Sequence, residues 1–378
     1  MSSRIIQFGT SRFLQAHVAL FVHEAREAGQ DVGPISVVQV SGASDRSGRV
    51  SAFGRPEGYP VVIRGVTGGR PVDRTVQVKS VDRGLSTATE WDEISRLFAE
   101  ETDFIVSNTG DTGYLTFPDE DDFSSPEHAP KSFPAKLAAL LSHRWRSSGR
   151  PLVVLPCELV TNNGRSLKGI VGECAQRNGL PAGFFAWLDR DVAFADTLVD
   201  RIVSEAIEPV GAVAEPYALW AIRRAPGVRL PCAHESIVLA DDLEPYERLK
   251  LHILNLGHTF LAEIWQAEGR PADETVRGIL ADSNVRDRLD ALYQNEVLPG
   301  FAVKAMAGQA RDYAAITLDR FLNPYLNHHI ADISQHHAEK VERRIAAFLD
   351  WIGQTGDAPE TPVLGRIAAR YPTNGVAG

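Results

Sequence analysis

The first half of the chain alternates short β-type runs with helical patterns, and this alternation constrains the fold more than any other feature. The run "RIIQFG" leads through a tight turn into "TSRFLQAHVALFVHEAREAG", whose apolar residues recur at helical spacing as far as Gly29. Further β-type runs follow, with helical patterns between them: "ISVVQV", "YPVVIRGV", "TVQVKSV", "FIVSNTG" and "PLVVLPCEL". Because strands that alternate with helices form parallel sheets covered by helices, we expect an α/β fold in this half.

The second half has few strand patterns. From about Pro245 onward the pattern is almost wholly helical, as in "YERLKLHILNLGHTFLAEIWQAEG". A chain of 378 residues also exceeds the size at which a single core usually stops growing. We therefore predict an α/β Rossmann-like N-terminal domain in residues 1–235, followed by a mostly α-helical C-terminal domain in residues 236–378.

The composition limits the classes of partner. The formal net charge of −10 argues against nucleic acid and anionic membranes, since both attract clustered Lys and Arg. Cys157, Cys174 and Cys232 are odd in number and unevenly spaced, which indicates neither a disulfide framework nor a zinc site. The apolar run near the N-terminus is too short for a signal sequence or a membrane span. We expect a soluble, cytoplasmic protein whose partner is a small molecule; the oligomeric state stays open.

The stretch "FGTSRFLQAH" is a candidate nucleotide-binding turn, because it follows a predicted strand and opens a helix. Gly9 fits the first glycine of such a turn, but Ser11 stands where a second glycine usually lets the phosphate approach. An ordinary β–α turn is an equal alternative on this motif alone. Asp45 in the following loop is a candidate acceptor for the ribose hydroxyls of NAD, or else a turn residue. Arg46 beside it suits a 2′-phosphate, which keeps NADP as an alternative.

The stretch "KLHILNLGH" places Lys250, Asn255 and His258 in an apolar helical pattern. With the α-helical period, the three side chains fall on one side of the helix, with about 12 Å along the axis between Lys250 and His258. A lysine in a dry pocket is a candidate general base, and an amide beside it can hold a developing alkoxide. The alternative from spacing alone is a lysine that reaches solvent from a helix end and a histidine satisfied in the core.

Taken together, these segments resemble the mannitol dehydrogenase family, the polyol-specific long-chain dehydrogenases, and more closely its tagaturonate reductase (altronate oxidoreductase) branch. Family-like segments occur in order along nearly the whole chain: "RIIQFGTSRFLQAH", "FIVSNTGDTG", "PCELVTNNG", "FADTLVDRIV", "AEPYALWAI", "LKLHILNLGH" and "RFLNPYLNHHIADIS". The resemblance implies that residues 1–235 bind a dinucleotide and that residues 236–378 bind substrate and carry the catalytic residues.

By this resemblance Lys250 is the general base, Asn255 and Asn163 form the pair that stabilises the oxyanion, and His258 orients substrate hydroxyls. The implied substrate-binding residues, of which Arg320 and Lys340 would pair with a carboxylate, are Asp200, Arg320, Asn323, His328 and Lys340. The implied cofactor-binding residues are Gly9, Thr10, Ser11, Arg12, Phe13, Asp45, Ser80, Asn108 and Thr109.

The histidine-rich stretch "NHHIADISQHH" is a candidate metal site, since Asp332 and His336 are four residues apart and could face one ion. The resemblance instead implies metal-free hydride transfer, with His328 as a substrate contact and no metal. Two departures concern the first turn: the family usually has glycine at Ser11 and arginine at Gln15. His17 matches the polyol branch better than the uronate branch.

The function that the resemblance implies is an NAD(H)-dependent oxidoreductase of the tagaturonate reductase type. It would interconvert a secondary alcohol and a ketone on an open-chain sugar acid (an aldonate or ketouronate) or sugar alcohol. One alternative is a polyol dehydrogenase of the mannitol or altritol 2-(5-)dehydrogenase type. A second, non-enzymatic alternative is a nucleotide-binding sensor that retains the fold.

Overall fold

The computed structural model describes residues 4–41, 47–110, 112–124 and 128–371. The chain forms two compact units. The first consists of Met1–Ile63, Arg74–Ala214 and Ala218–Leu243, and the second of Arg64–Asp73, Glu215–Tyr217 and Glu244–Gly378. The main boundary therefore follows Leu243, and two short segments of the N-terminal half belong to the second unit.

The strands of the described residues all precede the main boundary. They are β1 (Arg4–Phe8), β2 (Ile35–Gln39), β3 (Tyr59–Thr67), β4 (Arg70–Val78), β5 (Val81–Ser86), β6 (Thr102–Ser107), β7 (Leu152–Pro156), β8 (Val192–Phe194), β9 (Thr197–Asp200), β10 (Val203–Ala206), β11 (Ala212–Ala214), β12 (Leu219–Arg223) and β13 (Ile237–Ala240). The helices between them are α1 (Arg12–Gln15), α2 (Val18–Glu27), α3 (Ser47–Ala52), α4 (Trp91–Glu100), α5 (Phe133–Ser147), α6 (Asn163–Arg177) and α7 (Ala182–Asp191).

The main sheet has six strands in the order β5-β2-β1-β6-β7-β8, and every neighbouring pair is parallel. Counted within this sheet, the order is that of the doubly wound dinucleotide-binding fold. The chain reverses its direction of winding between β1 and β6, and ligands of such sheets bind at this switch point, beyond the carboxyl ends of the strands. The predicted Rossmann-like fold of the N-terminal half is confirmed.

The sequence accounts for this sheet in simple terms. The strands β2 and β7 are buried at every position, as expected for a parallel sheet that helices cover on both faces. The flanking helices α4 and α5 turn their apolar residues to the core cluster on one face of the sheet. Two smaller sheets, ordered β10-β11-β3-β4 and β13-β12-β9, complete the strands.

The second unit is helical after Leu243, as predicted. Its α-helices are α8 (Glu244–Leu249), α9 (Leu256–Glu268), α10 (Val276–Ile279), α11 (Ser283–Leu292), α12 (Leu298–Ala302), α13 (Ala307–Phe321), α14 (Ile330–Ser334), α15 (His337–Val341), α16 (Ala347–Gly353) and α17 (Pro362–Arg370). Three π-helical segments interrupt them: π1 (Lys250–Asn255), π2 (Tyr293–Val297) and π3 (Glu342–Ala346). One apolar cluster holds these helices together. Within the described residues, no helix is long and apolar enough to cross a membrane.

His17 is a fully buried polar residue of the first unit. Its Nε2 lies 3.1 Å from the carbonyl oxygen of Leu219, and its ring packs on Phe13 and Phe21 at centroid distances of 4.7 and 4.6 Å. Burial lowers the pKa of His17 to about 3, so the ring is neutral and Nε2 carries the donated proton.

Replacement of His17 by Gln should flatten the pH dependence of folding stability. The folded pKa of His17 lies below its unfolded value, so protons favour the unfolded chain and stability falls as the pH drops below about 6.5. This loss is at most about 1.4 kcal/mol per pH unit, and a glutamine that donates to Leu219 cannot contribute to it. Urea unfolding of both proteins from about pH 7 to about pH 5 measures the difference. Parallel stability curves would show that His17 is not the buried neutral group described here.

Candidate active site

A cavity of about 750 Å³ lies in the first unit at the switch point of the main sheet. The carboxyl ends of β1, β2, β5 and β6 and the start of α5 form its walls. Its lining includes Gly9, Thr10, Ser11, Gln39, Ser41, Thr87, Asn108, Thr109, Gly110, Lys131, Ser132 and Lys136. This position and size suit a dinucleotide.

Gly9 is the residue of the first turn that cannot be replaced without strain. Its φ of +110° lies in the region that favours glycine, and a Cβ at this position would lie 2.3 Å from the carbonyl oxygen of Asn108. The β1 turn therefore lies directly on the backbone that follows β6. This close approach is the role expected of the first glycine of a nucleotide-binding turn.

Ser11 and Gln15 stand where the family usually has glycine and arginine, and their contacts show why the turn accepts both residues. The backbone of Ser11 is extended (φ −65°), so glycine is not required there, and its Oγ accepts the N–H of Leu14 at the start of α1. Gln15 is buried; its Nε2 donates to the carbonyl oxygen of Thr10, and its Oε1 accepts the N–H of Gly211. Gln15 thus supports the turn from inside the protein.

Glu158, which the sequence patterns did not single out, is a buried carboxylate directly after β7. Its Oε1 accepts the backbone N–H and the hydroxyl of Thr109 at 3.0 Å each, and its Oε2 accepts the hydroxyls of Ser107 at 2.9 Å and Tyr114 at 3.4 Å. Burial raises the pKa of Glu158, while these hydrogen bonds favour the ionised form. The network fixes the loop after β6, which forms part of the cavity wall.

Two lysines bring positive charge to the cavity and were also missed. The amine of Lys136 donates to the carbonyl oxygen of Lys131 at 2.5 Å, and burial lowers the pKa of Lys136 to about 8. Ser132 caps α5 between them by accepting the N–H of Ala135. The stretch "KSFPAK" carries a helix-start pattern that places a lysine in the first turn, and this was the available signal.

The structure brings five of the predicted cofactor residues to the cavity: Gly9, Thr10, Ser11, Asn108 and Thr109. Arg12 is exposed and Phe13 packs on His17, and neither lines the cavity. Asp45 lies outside the described residues, so its predicted contact with the ribose stays a prediction.

Ser80, another predicted cofactor residue, lies away from the cavity lining. Ser80 precedes β5 at its amino end, is fully buried, and donates its hydroxyl to the carbonyl oxygen of Ala19 at 2.6 Å. Ligands of a parallel sheet bind at the carboxyl ends of its strands. Thr87 and Ala88, at the other end of β5, line the cavity instead.

Asn163 and Asp200 are the predicted catalytic and substrate residues of the first unit. The Nδ2 of Asn163 donates to the carbonyl oxygens of Pro156, Glu158 and Thr197, and its Oδ1 accepts the N–H of Thr197 at 2.8 Å. Its amide is therefore already engaged with the backbone in this structure. Asp200 is buried at the end of β9.

The segment Lys250–Asn255, which carries two of the predicted catalytic residues, is π-helical, not α-helical as predicted. Because π-helical hydrogen bonds join residues five apart, Lys250 and Asn255 at the two ends of π1 turn toward the same side. A π-segment displaces carbonyl groups from the α-helical pattern, and side chains bind them here: the hydroxyl of Tyr293 donates to the oxygen of Ile253 at 2.9 Å. A Cβ on Gly257 would lie 2.1 Å from that hydroxyl, which explains the glycine of "LNLGH".

His258 is buried one turn after π1. Its ring lies 4.5 Å from that of Phe321 and 4.8 Å from that of His328. Burial, assisted by the positive charges of His328, Arg344, Arg320 and Lys340, holds the pKa of His258 well below its usual range. A neutral imidazole can both donate to and accept from a hydroxyl group, as the predicted substrate contact requires.

Arg320 and Asn323 lie beside a smaller cavity of the second unit, of about 200 Å³. The Nε and Nη2 of Arg320 bind the two carboxylate oxygens of Glu215 at 3.0 and 2.9 Å, and both side chains are buried. The Nδ2 of Asn323 donates to the carbonyl oxygen of Arg64 at 3.2 Å, and its Oδ1 accepts the N–H of Tyr325. These bonds argue against Arg320 as the clamp for a substrate carboxylate.

Lys340 and Arg344 lie on the side of the second unit that holds His258. The amine of Lys340 donates to the carbonyl oxygen of Ile333 at 2.8 Å. The Nη1 of Arg344 donates to the carbonyl oxygen of Asn255 at 3.3 Å and to the hydroxyl of Thr259 at 3.1 Å. Arg344 thus touches π1 directly, although no sequence pattern pointed to it. Among the described residues, no group of three or more His, Cys, Asp and Glu side chains is arranged to hold a metal ion.

Comparison with known proteins decides the family. The Mannitol dehydrogenase Rossmann domain profile matches residues 3–229, and the Mannitol dehydrogenase C-terminal domain profile matches residues 242–370. The chain belongs to the mannitol dehydrogenase family. Among its family relatives, the altronate oxidoreductase of Halalkalibacterium halodurans is 32% identical over 98% of this chain and 74% of its own length. The altronate oxidoreductase of Bacillus subtilis is 29% identical over 97% of this chain and 79% of its own.

Two solved structures have the same fold as this chain. The structure of a D-sorbitol dehydrogenase in substrate-free form matches with a TM-score of 0.75 over 92% of this chain and 76% of its own, at 17% identity. The ternary complex of Pseudomonas fluorescens mannitol 2-dehydrogenase with NAD and D-mannitol matches with a TM-score of 0.70 over 98% and 79%, also at 17% identity.

Gly9→Ala should weaken dinucleotide binding by at least about tenfold, because the added Cβ must push the Asn108 backbone away from its place at the cavity wall. Titration of NADH by protein fluorescence measures the dissociation constant. Gly29→Ala is the matched control, since Gly29 also has a positive φ (+83°) but no atom within 4 Å of the added Cβ. Equal affinities of the Gly9 variant and wild type would contradict the described geometry of the turn.

Proposed function

We propose that the protein is an NAD(H)-dependent oxidoreductase that interconverts a secondary alcohol and a ketone on an open-chain sugar acid, as a tagaturonate reductase does. The observation that carries this proposal is the placement of Lys250 and Asn255 at the two ends of one π-helical segment, with buried, neutral His258 a turn later. π-segments inside helices occur frequently at functional sites. The relatives named altronate oxidoreductase support the sugar-acid class.

Each member of this set has a distinct role in the proposed reaction. Lys250 accepts the hydroxyl proton during oxidation and returns it during reduction. The amide of Asn255 stabilises the oxyanion that develops on the same oxygen; Asn163 can assist only by giving up one of its backbone contacts. His258 orients a neighbouring hydroxyl group. No step of this proton transfer requires a metal ion.

The first unit supplies the cofactor site in this proposal. Its cavity fits a dinucleotide in position and size, Gly9 allows close approach of the ligand, and Lys131 with Lys136 offers positive charge toward the phosphates. When bound, the nicotinamide ring accepts or donates the hydride. Ser11 and Thr109 offer hydroxyl groups in the same cavity.

A polyol dehydrogenase is the alternative that one sequence feature favoured. That feature was His17, which the structure places in the apolar core, where it binds the carbonyl oxygen of Leu219. His17 therefore does not select a polyol by direct contact. A sensor without catalysis would need neither a lysine at the start of π1 nor a buried neutral histidine beside it.

Lys250→Ala should lower turnover by at least about a hundredfold and leave NADH binding unchanged, because it removes the proton acceptor but not the nucleotide cavity. NADH absorbance with a panel of aldonates, ketouronates and alditols measures turnover, and fluorescence titration measures binding. Lys304→Ala is a control from the same unit, where the amine lies 5.4 Å from the ring centroid of Trp351. Near wild-type turnover of the Lys250 variant would overturn its role as the base.

Wild type should prefer NAD to NADP, because the carboxylate of Asp45, if it binds the ribose hydroxyls, repels a 2′-phosphate. Asp45→Ala should then reduce this preference by at least about tenfold. The ratio of kcat/KM with the two coenzymes measures the preference. An unchanged ratio in the Asp45 variant would exclude that residue from coenzyme selection.

A further inference from the structure

Lys340 and Arg344 are two half-buried cations on the neighbouring segments α15 and π3. No described carboxylate lies within ion-pair distance of either one; the charge of Glu339, the neighbour of Lys340 in sequence, acts on Lys340 only from a longer distance, and its carboxylate lies 3.5 Å from Nδ1 of His336. Two like charges four residues apart on a helix repel each other, and partial burial adds to the cost. An arrangement of this kind is expected where an anion completes the charge balance.

The free donors of these two cations suit an anion. The described hydrogen bonds of Arg344 use its Nη1 alone, which leaves the N–H groups of Nε and Nη2 without a described partner. Lys340 uses one of its three N–H donors for the carbonyl oxygen of Ile333, which leaves two N–H groups without a described partner. A guanidinium edge and an ammonium group side by side can together bind the two oxygens of one carboxylate.

Their position relates them to the proposed catalytic residues. Arg344 on π3 donates to the carbonyl oxygen of Asn255, the last residue of π1, while the carbonyl oxygen of Arg344 lies 3.1 Å from Nδ1 of His252. The two π-segments are therefore linked in both directions. Both cations also add to the charge that depresses the pKa of His258, so they lie close to that residue.

Arg320 differs from this pair in each of these respects. The Nε and Nη2 of Arg320 both bind the carboxylate of Glu215. Its Nη1 donates to the hydroxyl of Tyr313 at 3.2 Å, and its guanidinium lies 4.8 Å from the ring centroid of Tyr217. A substrate carboxylate would have to displace a buried carboxylate that already has ideal bidentate geometry. Arg320 is therefore a positioning residue that fixes the segment Glu215–Tyr217.

We infer that Lys340 and Arg344 together bind the terminal carboxylate of the substrate and so select an aldonate or ketouronate over an alditol. This inference rests on the proposed function and deepens it. The link from Arg344 to Asn255 also means that the group that recognises the carboxylate holds the end of π1. Recognition of the acid and placement of the catalytic amide therefore depend on one side chain.

The test compares a hexonate with its aldonamide, in which a neutral amide replaces the carboxylate at nearly the same size. Lys340→Gln and Arg344→Gln should each lower kcat/KM for the hexonate by about thirtyfold or more, mainly through KM, and for the aldonamide by less than about tenfold. Glutamine retains a donor for Ile333 or Thr259, so both variants keep a hydrogen bond that stabilises the fold. Arg343→Ala is the matched control, because Arg343 is an exposed cation next to Arg344, and it should change neither value appreciably.

The outcomes separate this inference from the function on which it rests. If wild type turns over neither compound with NAD(H), the proposed function fails and the inference fails with it. If wild type uses the hexonate but the variants lose equal activity on acid and amide, or lose none on the acid, only the inference is overturned. A loss confined to the hexonate, together with an unaffected Arg343 variant, supports it.

Discussion

The carboxylate of Glu158 is the group on which the carboxyl edge of the main sheet depends. It binds the loop after β6 through Thr109 and Ser107, and it reaches Tyr114, whose hydroxyl also lies 3.1 Å from the carbonyl oxygen of Asn163. Loss of such a buried acceptor leaves donors unsatisfied, at a cost of about 1–3 kcal/mol for each group. The cavity at the switch point and the start of α6 thus share one buried carboxyl group, and the close approach of Gly9 to Asn108 requires that this loop stay in place.

The sequence predicted the fold well because its signals are local and repeated. Runs of β-branched residues between amphipathic helices predict a parallel sheet, and the observed strand order agrees. The candidate site was harder to predict, because the partner of a polar side chain can lie far along the chain. Glu215 precedes Arg320 by 105 residues, and no local pattern indicates that the two form a buried pair. Ser80 shows a second limit, because a strand pattern does not by itself indicate that this residue lies at the amino end of β5, away from the cavity.

The π-segments show a different limit of sequence interpretation. A helical pattern was assumed to have the α-helical period, and apolar spacing alone does not reveal a wider turn. Side chains supply donors to the carbonyl groups of π1: the hydroxyl of Tyr293 donates to Ile253, and Arg344 and the hydroxyl of Thr259 both donate to Asn255. Tyr293 and Arg344 themselves belong to π2 and π3. The three irregular segments of the second unit are therefore better understood as one cooperative feature than as separate defects.

The discontinuity of the second unit has a consequence for how the chain reaches its native state. Arg320 forms an ion pair with Glu215, and Asn323 donates to the carbonyl oxygen of Arg64. The helical unit therefore includes residues that precede it by a long stretch of sequence. A fragment that begins at Glu244 would bury a guanidinium with no counter-ion, which costs far more than the loss of an exposed contact. During synthesis, Glu215 and Arg64 leave the ribosome before Arg320 and Asn323, so these contacts form only after the C-terminal helices have been made. A chimera that joins the N-terminal half of one relative to the C-terminal half of another after Leu243 would therefore place residues of the first relative inside the helical unit of the second.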